Sequence, residues 1–413
     1  MVRPAGHEGG LDEQVTAYVS QKEQEMTQTH ESRPRLRDVG ITIGELPPGP
    51  LNAITDVPGV RVGHTTIIAG EGPLRRGVGP VRTGVTAVWP HAGNVFEERV
   101  TCATQVLNGA GEMTGRAQID EWGVLESPIL LTNTHSVGAV YDATVAYMAD
   151  HDPHIGPDAF VIPVVAECFD GFLNDTAGGH VRREHVYAAL DSARGGPVQE
   201  GAVGAGTGMA CFQFKGGIGT ASRRVEIDGH AYTVGMLTLC NFGTRRQLTI
   251  AGVPVGRHIT ELMPVWGGGG APAGSPEGSI ILVAATDAPL LDRQLGRICR
   301  RAILGLARTG STAGHTSGDL LIAFSTASRV PHPAGPTHTA TWLADEVLDP
   351  LFAGTVEAAE EAIINALCAA TTTTGRDDNI LYALPVERLP AIMRTYGRLT
   401  RERPHRSTQA SGR

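Results

Sequence analysis

Lysine is nearly missing from this 413-residue chain: it occurs only as Lys22 and Lys215, and arginine supplies the rest of the basic complement. A Ser–Lys dyad, a Schiff-base lysine or a phosphate-loop lysine would therefore have to use Lys215. The segment from Phe212 to Gly219 has no Gly-Lys-Ser/Thr pattern of the kind a phosphate loop requires. Cysteine is sparse too. Cys102, Cys168, Cys211, Cys240, Cys299 and Cys368 form no C-x-x-C pair, and most lie in apolar stretches, where a free thiol acts as a small core residue. That usage fits a reducing compartment. A surplus of basic charge is absent, the net charge being −9, which argues against a nucleic-acid partner. The arginine-dense end from Arg394 to Arg406 reads as a solvated terminus. No run of about 18 apolar residues is available to span a bilayer. The first 35 residues are polar, without the apolar stretch of a secretory signal. The expectation is a cytoplasmic protein with neither nucleic acid nor membrane as a partner.

What the chain does have is glycine, 53 residues of it, within a composition of 41% hydrophobic and 19% charged residues typical of a soluble globular protein. Residues 1–35 read as a flexible leader. Beyond Ile41, strand-like and helix-like stretches alternate. Strands are expected at Val60–Ile67, Gly84–Trp89, Ile129–Thr132, Phe160–Ala166 and Tyr232–Leu239. Helices are expected at Val137–His151, Arg183–Ala193, Ala288–Ala307 and Val356–Ala370, from apolar residues spaced three and four apart. The least ordinary composition is Trp266-Gly-Gly-Gly-Gly-Ala-Pro-Ala-Gly-Ser-Pro-Glu-Gly278, either a linker or the approach to a processing site. The buried-strand pattern Ser279-Ile-Ile-Leu-Val-Ala-Ala-Thr286 follows it directly, and Asp287 and Pro289 then offer a helix start.

A Gly-Ser pair between a flexible segment and a buried strand suits N-terminal-nucleophile chemistry. Gly278 gives the backbone freedom for the Ser279 hydroxyl to reach its own preceding carbonyl. Cleavage there leaves Ser279 with a free α-amine of pKa roughly 7.7–8.0, so base and nucleophile share one residue. Downstream, Gly314-His-Thr-Ser-Gly-Asp319 runs into Leu320-Leu-Ile-Ala-Phe324. In an extended segment Ser317 and Asp319 share a face, with His315 on it as an alternative base; otherwise the stretch is a turn. Asn241, after the strand ending at Cys240, is either an oxyanion donor or a turn former. Glu167, closing Phe160–Ala166, is either an anchor for a substrate ammonium or a rim charge.

Together these segments resemble the β-peptidyl aminopeptidases and the related L-aminopeptidase/D-esterase enzymes, from about Arg35 to Ala383. The motifs that carry the resemblance are Gly49-Pro-Leu-Asn-Ala-Ile-Thr-Asp-Val-Pro-Gly-Val-Arg-Val-Gly-His-Thr65, Leu131-Thr-Asn-Thr-His-Ser-Val-Gly138, Gly278-Ser-Ile-Ile, Ala285-Thr-Asp-Ala-Pro-Leu290 and Ser317-Gly-Asp. The resemblance implies a four-layered αββα sandwich over residues 36–385, cut between Gly278 and Ser279 into two associated fragments, with 386–413 as a tail. It implies Ser279 as nucleophile, Ser317 and Asp319 as its support, Asn241 as oxyanion donor and Glu167 as the contact for the substrate amine. It further implies hydrolysis of short peptides, amides or esters without metal or other cofactor, and assembly into tetramers. Two positions depart from some relatives. Asp319 stands where they have Glu, and Phe169, at the substrate site, stands where they have tyrosine.

Three other readings compete. Ornithine acetyltransferases share the fold and self-cleave, but typically at a Thr nucleophile. Gly204-Ala-Gly-Thr-Gly208 hints at nucleotide binding, yet lacks the G-x-x-G ending and a clear preceding strand. Fifteen histidines allow a metal hydrolase, but without H-E-x-x-H or comparable spacing.

Overall fold

Fourteen strands and six helices occur among the residues described by the computed structural model, 33–268, 278–332 and 335–399. The strands are β1 (Arg61–Ala69), β2 (Val81–Trp89), β3 (Glu98–Gly109), β4 (Val124–Leu125), β5 (Ile129–Asn133), β6 (Val164–Cys168), β7 (Ala210–Cys211), β8 (Phe214–Lys215), β9 (Gly217–Ile227), β10 (His230–Asn241), β11 (Ser279–Thr286), β12 (Gly318–Pro331), β13 (Thr373–Thr374) and β14 (Ile380–Leu381). The helices are α1 (Arg116–Trp122), α2 (Val137–His151), α3 (Arg183–Asp191), α4 (Asp292–Arg308), α5 (Asp349–Ala369) and α6 (Leu389–Thr395). The expected leader, most of the glycine-rich stretch before Gly278 and the arginine-dense end fall outside the described residues.

Two mixed sheets organise the chain. One runs β1-β2-β5-β6 and the other β4-β3-β12-β11-β10-β9. In the larger sheet β11 pairs antiparallel with β10 on one side and parallel with β12 on the other. Side-chain alternation explains the layering. Ile281, Val283 and Ala285 of β11 face the smaller sheet, where Ile129 and Leu131 of β5 and Val164 and Ala166 of β6 meet them. Ile280, Leu282 and Ala284 face the other way, onto Leu295, Ile298 and Ala302 of α4 and Ala359, Ala362 and Ile363 of α5. On the far side, Val85 and Ala87 of β2, Leu130 and Val165 pack against Val140 and Ala143 of α2 and Val186 and Ala189 of α3. The result is an αββα sandwich, with strands buried on both faces and therefore apolar at consecutive positions.

Several expected boundaries shift for identifiable reasons. The strand expected at Phe160–Ala166 is β6, Val164–Cys168: Phe160 is exposed, and Pro163 has no N–H to donate. Glu167 therefore lies within the strand rather than at its close. The helix expected from Ala288 begins at Asp292, because Asp287 accepts the Thr233 N–H at 2.7 Å, tying it to β10. The pattern at Val356–Ala370 is the C-terminal part of the longer α5. Leu389, Ile392 and Met393 of α6, beyond residue 385, are buried core residues.

Helix α5 carries charge into the core. Arg223 of β9, fully buried, bonds Glu357 at 2.9 Å and Glu361 at 2.6 Å, and Arg37 pairs with Glu361 at 2.7 Å. These pairs hold the start of the described chain and the sheet edge to one helix. Lys215 is also fully buried, its ammonium donating to the carbonyls of Gly206, Met209 and Gly216 at 2.8–2.9 Å. Burial pulls it down to about 7, while the nearby Cys211 and Asp170 act in the opposite direction. Lys215→Met should take the ammonium from three carbonyls, of which those of Gly206 and Met209 keep a backbone N–H partner, and cost on the order of 1–3 kcal/mol of stability. A shift in urea midpoint equivalent to under about 1 kcal/mol would contradict that role.

Candidate active site

Ser279 is the first residue of β11, in the middle of the larger sheet. Its register partner on β10 is Asn241, while on β12 the next residue, Ile280, is paired with Asp319. Sheet register thus gathers three of the expected residues at one sheet end. Ser279 Oγ accepts the Gly318 N–H at 3.0 Å. The Gly278 carbonyl meets the Ser317 hydroxyl in a short hydrogen bond, and Ser317 Oγ lies 2.5 Å from Asp319 Oδ1. The aspartate therefore reaches Ser317 despite its short side chain. Burial pushes the Asp319 carboxyl up, opposed by Ser317, the Ile280 backbone and Asn108.

Gly278 is required for a reason other than the one its conformational freedom suggests. A Cβ on it would fall 1.6 Å from the Asn241 carbonyl oxygen and 2.9 Å from Asn241 Nδ2. The glycine thus lets the bond before Ser279 lie directly against Asn241. The Asn241 amide is fixed at both ends: Oδ1 accepts the Ala210 N–H at 2.7 Å, and Nδ2 donates to the Phe169 carbonyl at 2.9 Å. An amide nitrogen has two hydrogens, so one remains for the space beside Gly278. Lys215 helps to set this geometry, since its carbonyl partners Met209 and Gly216 flank the β7–β8 hairpin that presents the Ala210 N–H.

Glu167 is buried, with Oε1 accepting the Glu112 N–H at 3.0 Å and Oε2 the Thr134 hydroxyl in a short bond. Burial pushes its carboxyl up; Thr134 and the Glu112 N–H oppose this, the Glu112 carboxylate adds to it, and His135 counters it. Sequence reasoning assigned no role to Glu112 or Thr134, which approach from the β3–α1 connection and the end of β5. Thr134 lies inside the Leu131-Thr-Asn-Thr-His-Ser-Val-Gly138 motif, the one signal available.

A cavity of about 940 Å³ joins these groups. Glu112, Glu167, Asn241 and Ser279 all line it, together with an apolar wall of Phe169, Phe172, Met263 and Trp266. Phe172 and Trp266 meet edge to face at 4.6 Å, and the half-exposed Phe169 ring stands 6.0 Å from His135. His315 is not brought in. A turn closed by Ser317 N to the Gly314 carbonyl, 3.0 Å, interrupts the extended run, and His315 is exposed and does not line the cavity. The glycines of 204–208 form a buried 3-10 turn. A Cβ on Gly204 would meet Thr86 Oγ1 at 2.4 Å and one on Gly208 the Arg82 carbonyl at 2.3 Å, so these residues are small to fit against β2. Among the described residues no three His, Cys, Asp or Glu side chains form a metal-binding group, and no helix is long and apolar enough to cross a membrane.

Comparison with known proteins agrees with this geometry. The model of peptidase family S58 matches residues 52–381. The β-peptidyl aminopeptidase BapA of Sphingosinicella microcystinivorans is 46% identical over 377 residues, covering 89% of this chain and 93% of that one. Its counterpart from Sphingosinicella xenopeptidilytica is 45% identical over 87% of this chain and 91% of the relative. Among solved structures, the L-aminopeptidase D-Ala-esterase/amidase of Ochrobactrum anthropi, described as a variant of the Ntn hydrolase fold, superposes with a TM-score of 0.82 at 43% identity. That match covers 89% of this chain and all of that one. The acetyltransferase reading has no counterpart among these matches. With the nucleophile candidate, the amide donor and the buried carboxylate opening on one cavity, the chain belongs to peptidase family S58 and is a hydrolase of the aminopeptidase type.

Proposed function

We propose that the protein cuts itself between Gly278 and Ser279. It then uses Ser279 to release a small N-terminal amino acid, α or β, from short peptides, amides or esters, without a cofactor. The observation that carries this reading is the convergence of Ser279, Asn241 and the Ser317–Asp319 pair around the Gly278 carbonyl, beside a cavity lined by Glu167.

In processing, Ser279 Oγ adds to the Gly278 carbonyl carbon. The C–N bond breaks as its nitrogen takes a proton, and water hydrolyses the resulting ester. Ser317 has one proton for two short contacts. A protonated Asp319 donating to Ser317 lets Ser317 donate to the Gly278 oxygen, and burial favours that state. Cleavage need not part the fragments, because β11 stays hydrogen-bonded to β10 of the first fragment and β12 to β3. Four such units form the assembled enzyme, and six buried cysteines outside any disulfide suit the cytoplasm.

In turnover, Glu167 holds the substrate ammonium and the Ser279 hydroxyl attacks the scissile carbonyl. The Ser279 amine takes the hydroxyl proton and passes it to the leaving amine. Asn241 Nδ2 stabilises the oxyanion, and water resolves the acyl-enzyme.

A pair of p-nitroanilides, one with a free amine and one N-acetylated, tests the reading: only the first should be hydrolysed, and equal rates would remove the ammonium site. Glu167→Gln should lower kcat/KM about ten- to a hundredfold, mostly through KM, as expected for a charge-assisted contact of about 1.5–3 kcal/mol. Glu167 must be ionised to bind an ammonium, and its carboxyl is pushed up. Both the Ser279 amine, which must be unprotonated to act as base, and Glu167 should therefore shape the acid limb of kcat/KM above the ordinary carboxylate range, activity falling as pH drops through it. Glu167→Gln should leave a shallower limb from the amine alone. A limb in the ordinary range would contradict this.

A further inference from the structure

Arg376 lines the same cavity as Ser279 and is the only cation among its described lining residues. The reaction outlined above gives it nothing to do. Its loop is nevertheless held firmly in place. Arg376 N donates to the Leu173 carbonyl at 2.9 Å, and Asn379 Nδ2 donates to the Phe172 carbonyl at 2.8 Å. Asn379 Oδ1 accepts the Gly267 N–H at 3.1 Å. The next two residues, Asp377 and Asp378, both have left-handed backbones, φ 56° and 57°. Two such non-glycine residues in a row persist only where their surroundings over-determine them, and such strain clusters at ligand clamps.

The guanidinium is oriented on two sides. Nε donates to the Gly171 carbonyl at 2.6 Å and Nη1 to Asp377 at 2.6 Å, and among the described residues Nη2 makes no hydrogen bond. The contacts of one short segment also order the site. Glu167 is the amine anchor, the Phe169 carbonyl touches Asn241, and the Gly171 carbonyl touches Arg376. The Asn241 amide and the Arg376 guanidinium are thus tied to carbonyls two residues apart, and both residues line the cavity with Glu167. The Phe169 and Gly171 carbonyls are at most about 7 Å apart along the chain, which keeps the guanidinium within reach of the residue that follows a scissile carbonyl held at Asn241.

We propose that Arg376 binds the free α-carboxylate of the leaving residue, so that the enzyme's preferred substrates are dipeptides. Their amine sits on Glu167 and their carboxylate on Arg376. A planar guanidinium whose Nη2 still has both hydrogens to donate among the described residues suits a carboxylate, and the Phe172–Trp266 wall accommodates the leaving side chain. The proposal rests on the aminopeptidase reading.

The test compares kcat/KM for X-Ala and X-Ala-NH2, with X the residue released fastest from p-nitroanilides. The wild-type enzyme should favour the free acid at least tenfold. Arg376→Gln should bring the ratio near one, and Arg376→Lys should keep part of it. A wild-type ratio near one overturns the proposal without any variant, so misfolding of a variant leaves it decidable. A ratio unchanged in Arg376→Gln, or turnover of p-nitroanilides with neither dipeptide cut, overturns it too. In all these cases the aminopeptidase reading stands. Failure on every substrate removes both.

Discussion

Ser279→Ala should yield a single uncut chain with no measurable peptidase activity. Both losses come from one atom. The Ser279 hydroxyl is the group that attacks the Gly278 carbonyl in processing and the substrate carbonyl in turnover, and its α-amine exists only after the cut. Alanine fits the site, since among the described residues Ser279 Oγ makes one hydrogen bond, from Gly318 N, and β11 keeps both of its strand partners. The variant should therefore fold with near-native stability, so the loss is chemical and not structural. Cysteine at the same position keeps a nucleophile and should retain some processing. A cut chain or residual turnover in Ser279→Ala would place the nucleophile elsewhere.

Asn241→Ala should lower kcat by about a hundred- to a thousandfold with a much smaller change in KM, the pattern left by losing a contact made mainly in the transition state. The same substitution removes the partners of the Ala210 N–H and the Phe169 carbonyl. A stability loss of about 1–3 kcal/mol should accompany it. Asn241→Asp separates the effects. It keeps an acceptor for Ala210 N but puts negative charge where the oxyanion forms, and it should be at least as inactive as alanine. Because a Cβ on Gly278 would fall 2.9 Å from Asn241 Nδ2, both variants should also process slowly. Near-wild-type kcat in Asn241→Ala would remove the oxyanion assignment.

Where local sequence governs local structure, the chain could be read directly. Ser279–Thr286 is the strand its apolar run suggests, and Ser317 and Asp319 lie within hydrogen-bond reach across the start of β12, the turn before them displacing only His315. What escaped depends on distant segments. Glu112 and Thr134 support Glu167 from separate connections, and Arg376 reaches the cavity from a loop over two hundred residues later. Glu357 and Glu361 look like a solvated helix face until Arg223, from another layer, pairs with both. Gly278 shows a subtler gap: the residue type was legible, but its reason is the approach of β10, which only the register reveals.

Intact mass of the purified, active protein tests the central claim most directly. Two masses dividing the chain after Gly278, the second fragment beginning with an unblocked Ser279, are what self-processing predicts. A fully active preparation of one unbroken polypeptide would contradict it, for then no amine adjoins the serine hydroxyl.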